Sequence, residues 1–322
     1  MPRAPDFWRR RGAAARLLAP LGCVYGVAGA ARCALARPYR ASVPVICVGN
    51  LNAGGAGKTP VVASIARMLA ARGVAVHLLS RGYGGSATGP LRVDPARHTA
   101  AEVGDEPLML ARLAPSWVAR DRASGARAIE AAGAQAILMD DGLQNPSLAK
   151  DLSLIVVDGG YGFGNRMVMP AGPLRENLAR GLARADAVVV LGPDETGAGK
   201  FLAGKTVLAA EPLSDFTGLV GKSVFAFAGI GRPQKFFDHF PGSGVTVTGT
   251  RSFPDHHPYT EAELNGLVAA AQDAILVTTE KDWIRLSPAW QARVHVLPLA
   301  IEWRDESQLR SLLDRALEAR RG

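Results

Sequence analysis

The sequence predicts an α/β fold in which helices wrap a parallel β-sheet. From residue 43 onward, short runs rich in β-branched residues alternate with amphipathic stretches, which is the pattern of strands and helices around a parallel sheet. Several of the apolar runs end in Asp or Gly. The 322 residues are enough for one large or two modest domains, each with a core of its own.

The predicted elements follow in chain order. Strands are predicted over residues 43–48, 74–79, 136–139, 152–157, 187–191, 223–228, 245–248, 275–278 and 295–299. Helices are predicted over residues 60–71, 260–271 and about 306–320. The first helix has Val62, Ile65 and Leu69 on one face and ends at Gly73. Thr260 and Glu263 form a capping box for the second helix.

A tract rich in glycine and polar residues, 192–204, is the best candidate for a domain boundary or an exposed connection. We therefore expect three parts. Residues 1–40 form an N-terminal membrane-surface helix region, and residues 41–204 form a nucleotide-binding domain. Residues 205–322 form a smaller C-terminal α/β domain that closes over the cleft.

Composition and charge exclude some functions. Hydrophobic residues make up 48% and charged residues 20% of the chain, which fits neither a disordered chain nor a multi-span membrane protein. The formal charge of +8 is not arranged as basic residues interleaved with aromatics, so no nucleic-acid partner is predicted. The three cysteines lack metal-binding spacing and indicate a reducing compartment.

The N-terminal segment has a short apolar run, residues 17–31, with arginines on both sides, among them Arg3, Arg16 and Arg32. The run is shorter than the roughly 18 to 20 apolar residues that cross a bilayer, and it contains proline and glycine. A helix lying in the membrane interface explains both the run and its flanks. A buried core helix, a membrane span and a secretory signal are the alternatives.

Residues 45–59 read as a strand, a glycine-rich loop and the start of a helix, the order that a phosphate-binding loop requires. Glycines let successive backbone N–H groups point inward, while Lys58 reaches the β and γ phosphates and Thr59 offers its hydroxyl to Mg²⁺. The strict pattern has glycine where this chain has Asn52, so the match is a variant. The predicted nucleotide-binding residues are Asn52, Ala53, Gly54, Gly55, Ala56, Gly57, Lys58 and Thr59. They predict a P-loop NTPase-like parallel sheet that binds ATP.

Two adjacent carboxylates, Asp140 and Asp141, follow the apolar strand predicted at 136–139. Adjacent carboxylates repel each other unless a cation lies between or beside them, and a phosphate loop needs a carboxylate at the end of another strand to hold its metal. We therefore predict that Thr59, Asp140 and Asp141 hold Mg²⁺. The alternative is a solvated turn.

With these pieces placed, the chain resembles the tetraacyldisaccharide 4′-kinase family, the lipid A kinases of Gram-negative bacteria. The motifs that carry the resemblance occur in family order over nearly the whole chain. These motifs are residues 48–51 (VGNL), 54–60 (GGAGKTP), 80–85 (SRGYGG), 104–107 (GDEP), 140–144 (DDGLQ), 170–176 (PAGPLRE), 228–231 (AGIG), 253–257 (FPDHH) and 279–282 (TEKD). One departure is Asn145, where the family commonly carries histidine, so a role of that histidine is absent here.

The resemblance implies ATP-dependent phosphorylation of the 4′ hydroxyl of a tetraacylated disaccharide 1-phosphate in lipid A biosynthesis. Such a lipid stays in the bilayer, so the enzyme is expected at the cytoplasmic face of the inner membrane, attached by its N-terminal segment, with no obligate protein partner. The resemblance further implies that Asp105 activates the sugar hydroxyl with the assistance of His256. Lys58 is counted with them as catalytic, because it holds the nucleotide.

The residues themselves leave alternatives open. Asp105 is a reasonable proton acceptor, but it would equally cap the helix that begins near Pro107. His256 would equally satisfy its own polar turn. Four residues are expected at the acceptor side, where a surface ion pair is the alternative for the last two: Tyr83, Gln144, Arg175 and Glu176.

Two other functions compete. The first is a GTP-dependent membrane-associated switch or chaperone, although residues 279–282 place lysine and aspartate side by side, without the residue that separates them in [NT]KxD. The second is a membrane-surface module that binds nucleotide for stability alone. The paired acids and the separate GDEP and FPDHH motifs are superfluous to such a module.

Overall fold

The computed structural model describes residues 5–320; residues 1–4, with the predicted flanking Arg3, and residues 321–322 lie outside that range. The helices are α1 Ala13–Leu35, α2 Lys58–Ala71, α3 Ala100–Val103, α4 Asp105–Leu110, α5 Arg122–Ala131, α6 Leu178–Ala183, α7 Pro233–Phe237, α8 Glu261–Ala271, α9 Glu280–Trp283, α10 Pro288–Gln291 and α11 Glu306–Glu318. The strands are β1 Val45–Gly49, β2 Val76–Ser80, β3 Leu91–Arg92, β4 Ser116–Val118, β5 Ala136–Asp140, β6 Leu152–Asp158, β7 Ala187–Leu191, β8 Thr206–Ser214, β9 Ser223–Ala228, β10 Thr246–Ser252, β11 Ile275–Thr279, β12 His295–Leu297 and β13 Leu299–Trp303.

The larger sheet has nine strands in the order β13-β8-β7-β6-β1-β5-β2-β4-β3. Its inner pairs are parallel, and an antiparallel strand closes each edge. Strands β1, β2 and β5 are buried along their whole length because helices cover both faces, which explains their unbroken apolar sequences. Val48 of β1 is paired with Asp140 of β5, so the loops after these two strands meet at one edge of the sheet. The predicted α/β fold is confirmed.

The smaller sheet has four parallel strands in the order β10-β9-β11-β12. Its core is separate from that of the large sheet and includes Phe227, Leu267 and Trp290 on one face, with Val224 and Val277 on the other. The chain leaves the large sheet through β8 and returns to it through β13, which pairs antiparallel with β8. Helix α11 then packs against the large sheet.

The two sheets divide the chain at places other than residue 204. The glycine-rich tract 192–204 joins β7 to β8, and both strands belong to the large sheet, where they pair in parallel. Strand β13 and helix α11, from the predicted C-terminal domain, also belong to the large unit. The small unit therefore spans the strands β9 to β12 only. The tract is therefore a connection within the large sheet, because it joins β7 to β8 and these two strands are neighbours in that sheet.

The N-terminal helix α1 lies on the surface of the large unit with most of its apolar side chains exposed. Leu17 is 80% and Val24 69% exposed. Gly22 faces the polypeptide near Val168, and a Cβ on Gly22 would lie 2.7 Å from the Val168 carbonyl oxygen, so only glycine allows this close approach. The helix is long and apolar enough to cross a membrane by length and composition, and little of it is buried. A surface helix with exposed apolar residues is consistent with membrane association.

Candidate active site

The loop between β1 and α2 has the backbone of a phosphate cradle. Gly54 and Gly57 have φ angles of 112° and 81°, values that favour glycine. A Cβ on Gly57 would lie 2.4 Å from Cδ1 of Leu191, so the position has no room for a side chain. Helix α2 begins directly after it, and its first N–H groups point toward the loop with the positive end of the helix dipole. This geometry fits the phosphates of a nucleotide.

Lys58 is held inside the loop by two partners. Its Nζ donates a hydrogen bond to Oδ1 of Asn50 at 3.1 Å and lies 3.6 Å from Oδ2 of Asp141. Burial lowers the pKa of Lys58, and the charge of Asp141 opposes that shift. Asn50 in turn donates to the carbonyl of Gly54 at 3.2 Å. Sequence reasoning did not select Asn50, although an amide directly after a buried strand is the signal that would have found it.

Two of the predicted nucleotide-binding residues are occupied by contacts within the protein. The Asn52 side chain donates to the carbonyl of Gly162 at 2.7 Å, and the Ala53 N–H donates to the carbonyl of Pro173 at 2.7 Å. These bonds anchor the start of the loop. Contacts to a nucleotide are therefore expected from the stretch that follows, which consists of Gly54, Gly55, Ala56, Gly57, Lys58 and Thr59.

Asp140 ends β5 beside this loop and is 5% exposed. Its Oδ2 accepts a hydrogen bond from the Thr59 hydroxyl at 3.3 Å, while its Oδ1 is buried without a partner among residues 5–320. Burial raises the pKa of Asp140 to about 7, although Lys58 lowers it. An orphaned carboxylate oxygen next to a hydroxyl is the arrangement that a hard cation completes. No group of three or more acidic, His or Cys side chains forms a metal cage in the described part of the chain.

Asp141 is held in a different way. Its backbone has a φ of 56°, and Nη1 of Arg175 lies 2.8 and 2.9 Å from its two carboxylate oxygens. Burial raises the pKa of Asp141, but Lys58 and Arg175 outweigh burial, so the pKa lies below its ordinary value. Asp141 is therefore an anion that links the phosphate loop to Arg175. The solvated turn considered from sequence does not describe this arrangement, because the half-buried carboxylate is paired with both Lys58 and Arg175.

Asp105 and His256 come together from different units. Nδ1 of His256 donates to Oδ2 of Asp105 at 2.6 Å, and Arg285 donates to the same oxygen through Nη2 at 2.6 Å and Nε at 3.0 Å. Burial raises the pKa of Asp105, but the hydrogen bonds from His256 and Arg285 lower it to about 2. Gly104 is the N-cap of α4, and the Asp105 side chain makes no capping bond. Asp105 therefore contacts the small unit instead of capping its helix.

The four residues expected at the acceptor side occupy two places. Tyr83 is half exposed, with its ring 6.1 Å from that of His256. Gln144 donates to the Asn50 carbonyl and to Oε1 of Glu176, both at 3.0 Å. Glu176 also pairs with Arg184 at 2.5 Å. Gln144, Arg175 and Glu176 thus form one polar network behind the acidic pair, and the carbonyl of Gln144 accepts a bond from Arg32 of α1.

These groups converge on one cleft between the two units. Lys58, Asp140 and Tyr83 line it from the large unit, and His256 and Lys281 line it from the small unit. Asp105 is buried next to His256. Sequence reasoning missed Arg285 and gave no role to Lys281, since each acts through a partner more than 170 residues away.

A glycine-rich phosphate loop beside a strand-end acidic pair, with a histidine–aspartate pair across the cleft, defines a phosphate-loop nucleotide-dependent phosphotransferase. The family model for tetraacyldisaccharide-1-P 4′-kinase, LpxK, matches residues 14–318. The chain belongs to the tetraacyldisaccharide-1-P 4′-kinase family, as the sequence motifs predicted.

Individual relatives agree with this assignment. The chain is 53% identical over 319 residues to the tetraacyldisaccharide 4′-kinase of Paramagnetospirillum magneticum, covering 97% of this chain and 98% of that protein. It is 52% identical over 322 residues to the enzyme of the same name from Rhodospirillum centenum, covering 97% and 96%. Among solved structures, LpxK from Aquifex aeolicus, crystallised in complex with ATP, matches with a TM-score of 0.80 and 29% identity, covering 94% of this chain and 99% of that chain.

Proposed function

We propose that this chain transfers the γ-phosphate of ATP to the 4′ hydroxyl of a tetraacyldisaccharide 1-phosphate, a step of lipid A biosynthesis. The observation that carries the proposal is the cleft itself, in which the phosphate loop faces the His256–Asp105 pair. A phosphotransferase needs this opposition, because phosphate donor and hydroxyl acceptor must be held in line.

The nucleotide end is assigned to the free part of the loop. The N–H groups from Gly54 to Thr59 are proposed to surround the phosphates, with Lys58 releasing Asp141 to reach the β and γ phosphates. Thr59, Asp140 and Asp141 are proposed to hold Mg²⁺, supported by the orphaned Oδ1 of Asp140. When bound, Mg²⁺ neutralises charge on the phosphates. Arg175 then keeps Asp141 ionised and in place.

The acceptor end is assigned to His256 and Asp105 as a pair. In the transfer, a bond forms between the 4′ oxygen and the γ-phosphorus, and the bond from that phosphorus to the β–γ bridging oxygen breaks, leaving ADP with the electron pair. The hydroxyl proton passes to the pair. Because Nδ1 of His256 donates to Asp105, Nε2 is the ring nitrogen left to accept the proton. It makes no hydrogen bond within residues 5–320 and lies 3.9 Å from Oδ2 of Asp255, and Asp105 stabilises the imidazolium that forms. The low pKa of Asp105 supports this division, since a carboxylate with a pKa of about 2 is a weak base.

Membrane attachment is assigned to α1. Its exposed apolar side chains fit the acyl region of a bilayer, and Arg32 of α1 contacts Gln144 of the acceptor-side network. A lipid acceptor held at the surface would thus stand close to the site. We propose peripheral or shallow insertion at the cytoplasmic face of the inner membrane, where ATP is available. Fractionation tests this proposal, because a protein lacking residues 1–37 that stays fully membrane-bound would contradict it.

The decisive experiment is mass spectrometry of the tetraacyldisaccharide 1-phosphate after incubation with ATP and Mg²⁺. The product should gain one phosphate, and no gain with correctly folded protein would refute the proposal. Asp105→Asn and His256→Ala should each lower kcat by about 10² to 10⁴ while keeping nucleotide binding, as removal of a general base does. A parallel assay with GTP checks nucleotide choice, and a marked preference for GTP would favour the switch considered from sequence.

A further inference from the structure

The motif Thr279-Glu280-Lys281-Asp282 has no part in the function described so far. It follows β11 and forms the single turn of α9. Two of its members are structural: the Thr279 hydroxyl accepts from the Asp282 N–H at 3.1 Å and donates to Oδ2 of Asp282 at 2.6 Å. Asp282 also receives the Gly229 N–H and the Tyr259 hydroxyl. This capping fixes the turn and directs Lys281 out of the small unit.

Lys281 crosses the cleft to the large unit. Its ammonium group forms an ion pair with Glu106, the neighbour of Asp105 on α4. One turn after Lys281, Arg285 pairs with Asp105 itself. The small unit thus presents two cations, one turn apart, to two consecutive carboxylates of the large unit.

The ammonium of Lys281 has hydrogen-bonding capacity left over. An ammonium group has three N–H donors, and Glu106 is its one hydrogen-bonding partner among residues 5–320. The Lys281 side chain is 31% exposed, on the cleft side. A purely structural ion pair between the units would need only the bond to Glu106. The remaining donors face space that a ligand can enter.

Lys281 shares that space with Lys58. The two ammonium groups lie close enough for the charge of Lys281 to lower the pKa of Lys58, and it also lowers the pKa of Asp140. Each ammonium group pairs with one carboxylate, Asp141 or Glu106, and both lysines also line the cleft, where a phosphate group can accept hydrogen bonds from the two of them. The Lys281 pKa is nevertheless raised, because the charge of Glu106 outweighs the effect of burial, so Lys281 stays charged.

We infer that Lys281 is a catalytic residue that donates hydrogen bonds to the γ-phosphate oxygens during transfer, while Glu106 holds its side chain in position. The phosphate loop supplies one cation from the large unit, and the small unit supplies this second cation from the opposite side. Charge moves from the γ-phosphate to the β–γ bridging oxygen as ADP leaves, and fixed cations around the transferring group stabilise that change. This inference rests on the proposed phosphoryl transfer.

The test compares Lys281→Gln with Glu106→Gln, using the full-length protein, ATP, Mg²⁺ and the disaccharide acceptor. Lys281→Gln keeps a donor for Glu106 but removes the charge, so kcat should fall by about 10² to 10³, the usual cost of losing one preorganised donor. Glu106→Gln keeps the cation and should lower kcat less than tenfold. Lys281→Arg should recover part of the loss. Exposed Lys222→Ala, on the same unit, is the control and should match the wild type.

Calorimetry with nucleotides distinguishes a contact of Lys281 with the γ-phosphate from a purely structural ion pair with Glu106. Lys281→Gln should weaken the non-hydrolysable ATP analogue more than ADP, because ADP lacks the γ-phosphate. Equal losses of kcat in Lys281→Gln and Glu106→Gln, or equal losses of affinity for both nucleotides, would refute the inference and leave Lys281 in a purely structural ion pair. If the wild-type protein transfers no phosphate, the proposed function fails instead. Matching thermal midpoints establish that the variants fold.

Discussion

Replacing Asp140 by asparagine should abolish turnover and yet make the ligand-free protein more stable at pH 8. Asp140 is buried, and its Oδ1 has no partner in the described chain. Its ionised form is therefore unfavourable in the folded state until a cation arrives. Asparagine has nearly the same shape and carries no charge. The same substitution that removes the proposed metal ligand also removes a buried charge.

The magnitude follows from the pKa, which burial raises from 3.8 to about 7. A difference of roughly three units corresponds to about 4 kcal/mol, at 1.36 kcal/mol per unit. The folded state binds the Asp140 proton more tightly than the unfolded chain, so this contribution to stability is complete below about pH 4 and is lost as the pH rises through about 7. The asparagine NH₂ group, if left unpaired, costs about 1 to 3 kcal/mol. We therefore expect a net gain of about 1 to 3 kcal/mol for Asp140→Asn at pH 8.

Urea unfolding of both proteins in EDTA, from pH 4 to pH 8, measures this difference. The stability of Asp140→Asn relative to the wild type should rise with pH across that window, and exposed Asp273→Asn should show no such rise. Adding Mg²⁺ with a non-hydrolysable ATP analogue should stabilise the wild type more than the variant, because binding to the folded state adds stability. A variant that is less stable than the wild type at pH 8, or a difference that does not change with pH, would refute the reasoning.

Three further predictions concern the loop, the aspartate–histidine pair and the membrane helix. Gly57→Ala should lower the free energy of unfolding by about 1 to 3 kcal/mol, because the φ of Gly57 is 81° and Leu191 fills the space that a Cβ would need. Gly55 has open space around it, so Gly55→Ala is the control and should change the free energy of unfolding by less than about 0.5 kcal/mol. The same urea titration measures both variants. Arg285→Gln should raise the pKa of Asp105, because a main opposing charge to burial is lost. The carboxyl carbon of Asp105 should then titrate at higher pH by NMR than in the wild type, and an unchanged titration would contradict the assignment. Leu17→Glu should weaken binding to anionic vesicles at least tenfold in a flotation assay. The protein should stay folded, since the Leu17 side chain is 80% exposed. Val220 is also exposed but lies away from α1, so Val220→Glu is the control and should bind like the wild type.

The inner strands of the large sheet were predictable because they are buried on both faces. Such strands have continuous apolar sequences, and the predicted runs at 136–139, 152–157 and 187–191 all fall within observed strands. Strand β8 was missed because its burial alternates irregularly and it contains Glu211 and Pro212. Without β8, the glycine-rich tract before it resembled a boundary between domains.

The predicted strand 295–299 shows a second limit of local pattern. In the structure, β12 ends at Leu297 and β13 begins at Leu299, and the two strands belong to different sheets. Pro298 stands between them and has no N–H to donate to a neighbouring strand, so the chain changes sheet at this residue. An apolar run does not reveal which sheet receives each half of it. The return of the chain to the large sheet was therefore not predictable from the run alone.

In the site, contiguous motifs were predictable and long-range pairings were not. The loop from Gly54 to Thr59 was predictable from its own residues, because glycine, lysine and threonine at that spacing are typical of a phosphate-binding loop. The pairing of Arg285 with Asp105 joins residues 180 positions apart, and no local spacing encodes it. From sequence, Asp105 was equally a helix cap. Only the approach of the small unit distinguishes the two roles, since it brings both His256 and Arg285 to one carboxylate oxygen.

Backbone strain and ion pairing together separate functional positions from incidental ones. Four non-glycine residues in the described range have positive φ, namely Asp141, Arg166, His256 and Gln272. Such a conformation costs on the order of 1 to 3 kcal/mol, which glycine would avoid. Arg166 and Gln272 have no charged partner among the described residues, so their strain alone indicates no role. At Asp141 and His256 the strained residue also pairs with a buried charged group, Lys58 or Asp105. Glycine at either position would relieve the strain and lose the side chain that faces the cleft, which is the physical reason to place both residues in the site.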